Sequence, residues 1–189
     1  MGEALQDPGT AAQAVGGSAG ALAALREEGF ARLGSSALAG LLGIEPVRLE
    51  ELRPSWDRLP PDGYLRDGGR YRRRRHGSYV LELPDGRIRC PARRAHWQPV
   101  DYNALHGGFE RWFEPIEPAV EGSAGWTAAI VGLGRLFAQL RPVPRWYVEA
   151  HQFRIDTTGG IGRPTPEGAH RDGVHFVAVL MVGRQNIRG

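Results

Sequence analysis

A chain of 189 residues, 41% hydrophobic and 24% charged, is long enough to close one sizeable core and has the make-up of an ordinary globular protein. No apolar run approaches a membrane span, and the N-terminus carries no basic segment leading into an apolar one, so neither a membrane nor a secretory role is expected. Cys90 is the one cysteine, which excludes an internal disulfide and a cysteine zinc cluster; it fits a reducing cytoplasm, with Cys90 as a small buried hydrophobe.

Residues 1–17 are small and polar and read as a disordered leader, with residues 18–189 forming a single domain. Ser18 is placed to cap a helix that carries Leu22 and Leu25 and ends near Gly29, and Phe30 to Leu33 reads as a short strand. Ser35 or Ser36 then caps a second short helix through Leu41 and Leu42, closed by Gly43. Between residues 53 and 69, Pro54, Pro60-Pro61, Asp62-Gly63 and Asp67-Gly68-Gly69 spell turns.

Tyr71 to Leu83 reads as an extended segment, and Pro84-Asp85-Gly86 is a hairpin signal leading into Arg87 to Cys90. This stretch is rich in arginine: Arg70, Arg72 to Arg75, Arg87, Arg89, Arg93 and Arg94. Such a cluster beside aromatics is one footprint of nucleic-acid binding. The opposing reading is a strand whose arginines pair with local acids such as Glu82 and Asp85. Because the net charge is only +3 and arginine stands in for lysine along the whole chain, a nucleic-acid partner is disfavoured.

From Pro91 to Pro118 the chain reads as irregular and aromatic, with Trp97, Tyr102, Phe109, Trp112 and Phe113 set for core or lid packing. A helix is expected from about Gly125 to Arg141, because Trp126, Ile130, Leu133, Phe137 and Leu140 recur at intervals of 4, 3, 4 and 3. Pro142 and Pro144 end it, and Trp146 to Ile155 follows as a strand. Helices early and strands late suggest an α+β domain on an antiparallel sheet.

The chemistry gathers near the C-terminus. In an extended segment side chains alternate faces, so His170 and Asp172 project the same way. One imidazole and one carboxylate on one face are two corners of the 2-His-1-carboxylate triad that holds non-haem Fe(II). A bare His-x-Asp also arises by chance, as an Asp opening the Asp172-Gly173 turn beside a solvated His. Its setting favours the metal: a Pro-Gly-rich approach leads straight into the valine-rich run His175 to Val182, which reads as a buried strand. His175, three residues from Asp172, points to the opposite face of that strand and reads as packing or solvent-facing.

Taken in order, the runs Tyr71-Arg-Arg-Arg-Arg75, Asn103 with Gly107-Gly108, Arg111-Trp-Phe-Glu-Pro115, His151-Gln-Phe-Arg-Ile155, Pro164-Thr-Pro-Glu-Gly168, His170-Arg-Asp-Gly-Val174 and Arg184-x-Asn186-Ile187 carry a resemblance. They resemble the bacterial 2-oxoglutarate/Fe(II) dioxygenases of the amino-acid hydroxylase type, such as isoleucine 4-hydroxylase, from roughly Gly29 to Gly189. The resemblance implies a double-stranded β-helix, a jelly roll with flanking N-terminal and central helices. It implies His170 and Asp172 as iron ligands, and 2-oxoglutarate chelating the metal, with O2 at the remaining position. The activity implied is hydroxylation of a free amino acid or similar small molecule, with 2-oxoglutarate decarboxylated to succinate.

Members of that family run on through further strands, which carry a second iron-binding His and a basic anchor for 2-oxoglutarate. The expectation is therefore an incomplete jelly roll lacking its C-terminal strands, and a catalytically incomplete fragment. Gln152 and Arg154 share one strand face and are candidates to hold 2-oxoglutarate or an amino-acid carboxylate, with Tyr102 and Asn103 at the mouth of the site. Among the remaining histidines, His151 is near enough to a strand to approach the site. The competing reading is a non-catalytic binding module, either a degenerate dioxygenase relative or an arginine-rich nucleic-acid binder.

Overall fold

Residues 14, 16–65, 69–101, 107–162 and 172–186 are described by the computed structural model. The expected leader lies almost wholly outside them, as do His170, Tyr102 and Asn103. Helices α1 (Gly17–Glu27) and α2 (Ser35–Leu42) fall where expected, and Gly43 closes α2 at φ 69°, a left-handed conformation that glycine adopts without steric cost. The cap of α1 differs: Gly16, not Ser18, precedes it, and Ser18 is helical. Phe30 to Leu33 is not a strand, because among the described residues no strand pairs with it; Ala31 and Leu33 instead pack on Ala21, Leu22 and Leu136.

The turn-rich segment holds more regular structure than its prolines suggest. It follows α3 (Val47–Glu50) and contains a 3-10 helix, Arg53–Arg58, with Pro54 in its first turn, where a missing N–H costs nothing. The hairpin then forms as its turn chemistry requires, β1 (Arg72–Glu82) running antiparallel to β2 (Arg87–Arg89) with Glu82 opposite Arg87. On its other side β1 pairs antiparallel with β3 (Arg145–Ile155) along its whole length, from Arg72 opposite Ile155 to Glu82 opposite Arg145. The sheet order is β2-β1-β3.

After the short α4 (Pro118–Glu121), α5 (Ala124–Ala138) covers one face of this sheet. Ser123 caps α5 by accepting a hydrogen bond from the Trp126 N–H at 3.2 Å. Tyr79, Leu81 and Ile130 are buried at the contact, with Trp126, Trp146, Val148 and Ala150 packed around them. At the other end of the helix face, Leu52, Ile116 and Val120 form a second cluster with Trp56 and Trp126. The architecture is a small antiparallel sheet with helices on one side, an α+β arrangement.

Two expectations are corrected here. Residues 175–182 form no strand: Val177 is 60% exposed, Val179 87% and Met181 76%, because among the described residues no strand pairs with them. Phe176 docks, stacking on Phe137 with ring centroids 4.4 Å apart and meeting Trp146 edge-on, and the His175 ring lies 6.3 Å from that of Trp146. Cys90 is exposed, since it follows the last paired residue of β2 and has left the sheet.

Candidate functional site

The face of the sheet turned away from α5 is polar, and alternation builds it. Along β1, Arg72, Arg74 and His76 point to that side; opposite them on β3 stand Ile155, Phe153 and His151, with Glu149 two residues further on. Arg72, Arg74 and His76 are buried, under the loop that carries His96, Gln98, Arg111 and Phe113. That loop is held in place by reciprocal backbone hydrogen bonds between His96 and Arg111, both 3.0 Å.

His76, His96, Glu149 and His151 converge, each offering one ligand atom, with all those atoms within 4.8 Å of one another. Three imidazoles and a carboxylate are a donor set that could hold a metal ion such as iron. Glu149 Oε2 accepts from His96 Nδ1 at 2.8 Å, so the other nitrogen of a neutral His96 keeps its lone pair. Arg74 Nη2 lies 2.6 Å from His151 Nδ1, and because a guanidinium only donates, His151 accepts there. Among the described residues His76 Nε2 is buried without a hydrogen-bond partner, and it lies 3.9 Å from the Glu149 carboxylate.

Burial sets the protonation of this group. Desolvation, with the positive charges of His96, Arg74 and Arg94 added, pulls His76 down to about 4 despite the nearby Glu149. Burial and the charge of Arg74 likewise hold His151 well below the usual imidazole range. Glu149 is pushed up by desolvation, but the hydrogen bond from His96 and the charges of His96, His76 and Arg94 bring it below an ordinary carboxylate. Near neutral pH His76 and His151 are therefore neutral and Glu149 is ionised.

Asp172 reaches the same face. Its Oδ1 accepts a hydrogen bond from Gln98 Nε2 at 3.1 Å, and Gln98 Oε1 accepts one from Arg111 Nη2 at 2.8 Å. His170 lies outside the described residues. Gln152 and Arg154 sit on the opposite, helix-facing side: Gln152 is 1% exposed and donates to Ser55 Oγ at 2.8 Å, while Arg154 pairs with Asp57 at 3.0 Å.

The arginine-rich strand is largely engaged within the protein. Arg72 pairs with the buried Asp62 at 2.7 Å, Arg75 with Glu117 at 3.4 Å, Arg89 with Glu82 at 2.7 Å and Arg87 with Asp85 at 3.5 Å. This is the local pairing with acids weighed against a nucleic-acid surface. Among the described residues no helix is long and apolar enough to cross a membrane.

Sequence reasoning did not bring His76, His96 and Glu149 together. The signal available was period-two polarity, Arg72-Arg74-His76 in one expected strand and Glu149-His151 in the other.

Comparison with known proteins adds the family. Residues 53–189 match the family described as 2OG-Fe dioxygenase. The crystal structure of a bsmA homolog from Methylobium petroleophilum PM1 superposes with a TM-score of 0.80 at 52% sequence identity, covering 86% of this chain. The chain spans 65% of the length of that structure. No curated protein matches the chain. With its family match extending over residues 53–189, this chain belongs to the 2OG-Fe dioxygenase family.

Proposed function

We propose that this chain forms the α+β portion of a jelly-roll dioxygenase that uses Fe(II), 2-oxoglutarate and O2 to hydroxylate a free amino acid or similar small molecule. The observation that carries this reading is the attachment of Asp172, the carboxylate of the His-x-Asp motif, to the buried polar face through Gln98 and Arg111. When bound, iron with 2-oxoglutarate would activate O2, the oxidant, one oxygen atom going to the substrate C–H and the other to the succinate that 2-oxoglutarate forms as it loses CO2.

Two sets of residues fit the metal in donor chemistry. In the four-residue group, His151 Nδ1 is occupied by Arg74 at 2.6 Å and Glu149 by Arg94 at 2.9 Å, so a cation there would displace one arginine contact and sit beside another. Asp172 accepts a hydrogen bond from the Gln98 amide and belongs to the His-x-Asp motif. On that motif we assign iron to His170 and Asp172, and give the histidine-arginine face the task of lining the chamber beside it. Gln98 orients the Asp172 carboxylate, in the way outer partners fix metal-binding side chains. Phe113, buried, keeps water from the inner end of that face.

Gln152 and Arg154 then seat β3 on the 3-10 helix, and Tyr102 and Asn103 are proposed at the mouth. The hydroxylase subtype rests on the motif runs quoted above, and the single cysteine suits a reducing cytoplasm. The test is product analysis: purified protein with Fe(II), ascorbate and 2-oxoglutarate is incubated with a panel of free amino acids. Succinate formed in step with a product 16 Da heavier supports the reading. Succinate formation absent with every amino acid contradicts it.

A further inference from the structure

Three separate segments meet at one carboxylate oxygen. His76 belongs to β1, His96 to the loop over the polar face and Glu149 to β3. Glu149 Oε2 lies 2.8 Å from His96 Nδ1 and 3.9 Å from His76 Nε2. A zinc ion bound tetrahedrally to nitrogen and oxygen at about 2.0–2.1 Å sets its ligand atoms about 3.3 Å apart. The two distances straddle that spacing, a gap that side-chain rotation closes. Two imidazoles and one carboxylate are also a donor set that zinc accepts.

An independent observation points to a missing partner. Among the described residues His76 Nε2 is buried with no hydrogen bond, although it faces this oxygen. Buried polar atoms are rarely left so. The Glu149 side chain is 30% exposed, so the cluster is open to solvent on that side.

His151, the fourth donor of the group, stays out of the set. Its Nδ1 accepts from Arg74 at 2.6 Å, so a neutral ring carries its proton on Nε2 and has no lone pair to give. With His151 set aside, no arginine contact has to break. Arg94 holds the other oxygen of Glu149, Oε1, at 2.9 Å, and the ion takes the place of the His96 proton at Oε2. Repulsion from Arg74 and Arg94 holds the affinity to the micromolar range. Asp172, on the same face, is engaged with Gln98 and belongs to the iron motif.

We propose that His76, His96 and Glu149 form a second divalent-metal site, of the zinc class, separate from the iron at His170 and Asp172. Bound there, the ion ties the loop that carries Gln98 to both long strands. The site rests on its own three ligands and not on the dioxygenase reading.

The experiment is a zinc titration against a chromophoric indicator, on the full chain stripped with EDTA and then freed of it. Asp172→Ala is the background throughout, because zinc also suits the motif. One zinc ion per chain is expected to bind in that background, tenfold or more weakly once His76→Gln or Glu149→Gln is added, and unchanged with His151→Gln. If the added variants fail to fold, cobalt(II) in the Asp172→Ala chain decides. The intense visible bands of four-coordinate cobalt support the site, and the weak bands of six-coordinate cobalt overturn it. Zinc bound by the wild type but not by Asp172→Ala would assign the ion to the motif and overturn the proposal. A loss with His151→Gln as large as with His76→Gln would overturn the three-ligand set. No binding up to about 0.1 mM zinc would overturn the site altogether.

Discussion

Gln98 joins Asp172 to Arg111: its amide nitrogen donates to Asp172 Oδ1 at 3.1 Å while its oxygen accepts from Arg111 Nη2 at 2.8 Å. The two contacts fix both ends of one amide, so its orientation is determined by its partners. A residue 74 positions earlier in the chain thereby sets the direction of the motif's carboxylate.

Gln98 is therefore expected to act as a positioning residue. Gln98→Ala should lower Fe(II) affinity about 10–100-fold, the usual cost of removing an outer partner of a metal ligand. The readout is the visible band of the Fe(II)–2-oxoglutarate chelate during anaerobic titration, with the melting temperature measured beside it. An unchanged midpoint of the iron titration would remove Gln98 from the site.

Acid should loosen the polar face, and the sign follows from the histidines. His76 ionises at about 4 in the folded chain against an ordinary 6.5, so the unfolded chain binds more protons between those values. Its contribution is complete above 6.5 and is lost as pH falls towards 4, and His151, shifted the same way, adds to the slope. Arg74, Arg94, His96 and Glu149 surround this pair and supply the charges that set it. Melting temperatures recorded from pH 7.5 down to 4 should fall more steeply in the wild type than in His76→Gln. Parallel curves would refute the assignment.

Gly125 lies where α5 meets α3. A Cβ at this position would press on the Arg48 carbonyl oxygen and lie 3.0 Å from the Arg48 carbonyl carbon. Backbone atoms cannot swing aside as a side chain can. Gly125→Ala is expected to cost about 1–3 kcal/mol, as over-packing does, despite alanine's better helix propensity. Urea denaturation measures it, and a variant as stable as the wild type would mean that the two helices separate freely.

Tyr79 is 2% exposed and donates its hydroxyl to Glu121 Oε1 at 2.7 Å, tying β1 to α4 across the end of α5. Burial and this bond to a carboxylate both hold the phenol in its protonated form. Tyr79→Phe should lose about 1.5–3 kcal/mol, the range for a hydrogen bond to a charged group. Glu121→Gln should recover part of that loss in the double variant, because it removes the charge left behind.

What the sequence disclosed was local. The hairpin at Pro84-Asp85-Gly86 and the apolar stripe of α5 are written in neighbouring residues, and both stand within a few positions of expectation, although α5 ends at Ala138 rather than Arg141. The alternation of β3 was also legible, but not which of its two polar faces would be turned towards α5. Gln152 and Arg154 were the candidates, yet Ser55 and Asp57 of the 3-10 helix claim them, leaving His151 and Glu149 on the side of the site. That choice depends on a helix nearly 100 residues away, which strand periodicity cannot encode. Pairing of His76 with His151 is a matter of register between strands 75 residues apart, and the valine-rich run at 175–182 shows that β propensity without a partner strand gives no strand.

The most direct test of the account is an anaerobic Fe(II) titration in the presence of 2-oxoglutarate, following the visible charge-transfer band of the chelate. The account predicts a band that is lost in His170→Ala and in Asp172→Ala, and kept in His151→Ala. A band that survives both motif substitutions and disappears with His151→Ala would place the metal in the four-residue group instead. The absence of any band would contradict iron chemistry in this chain.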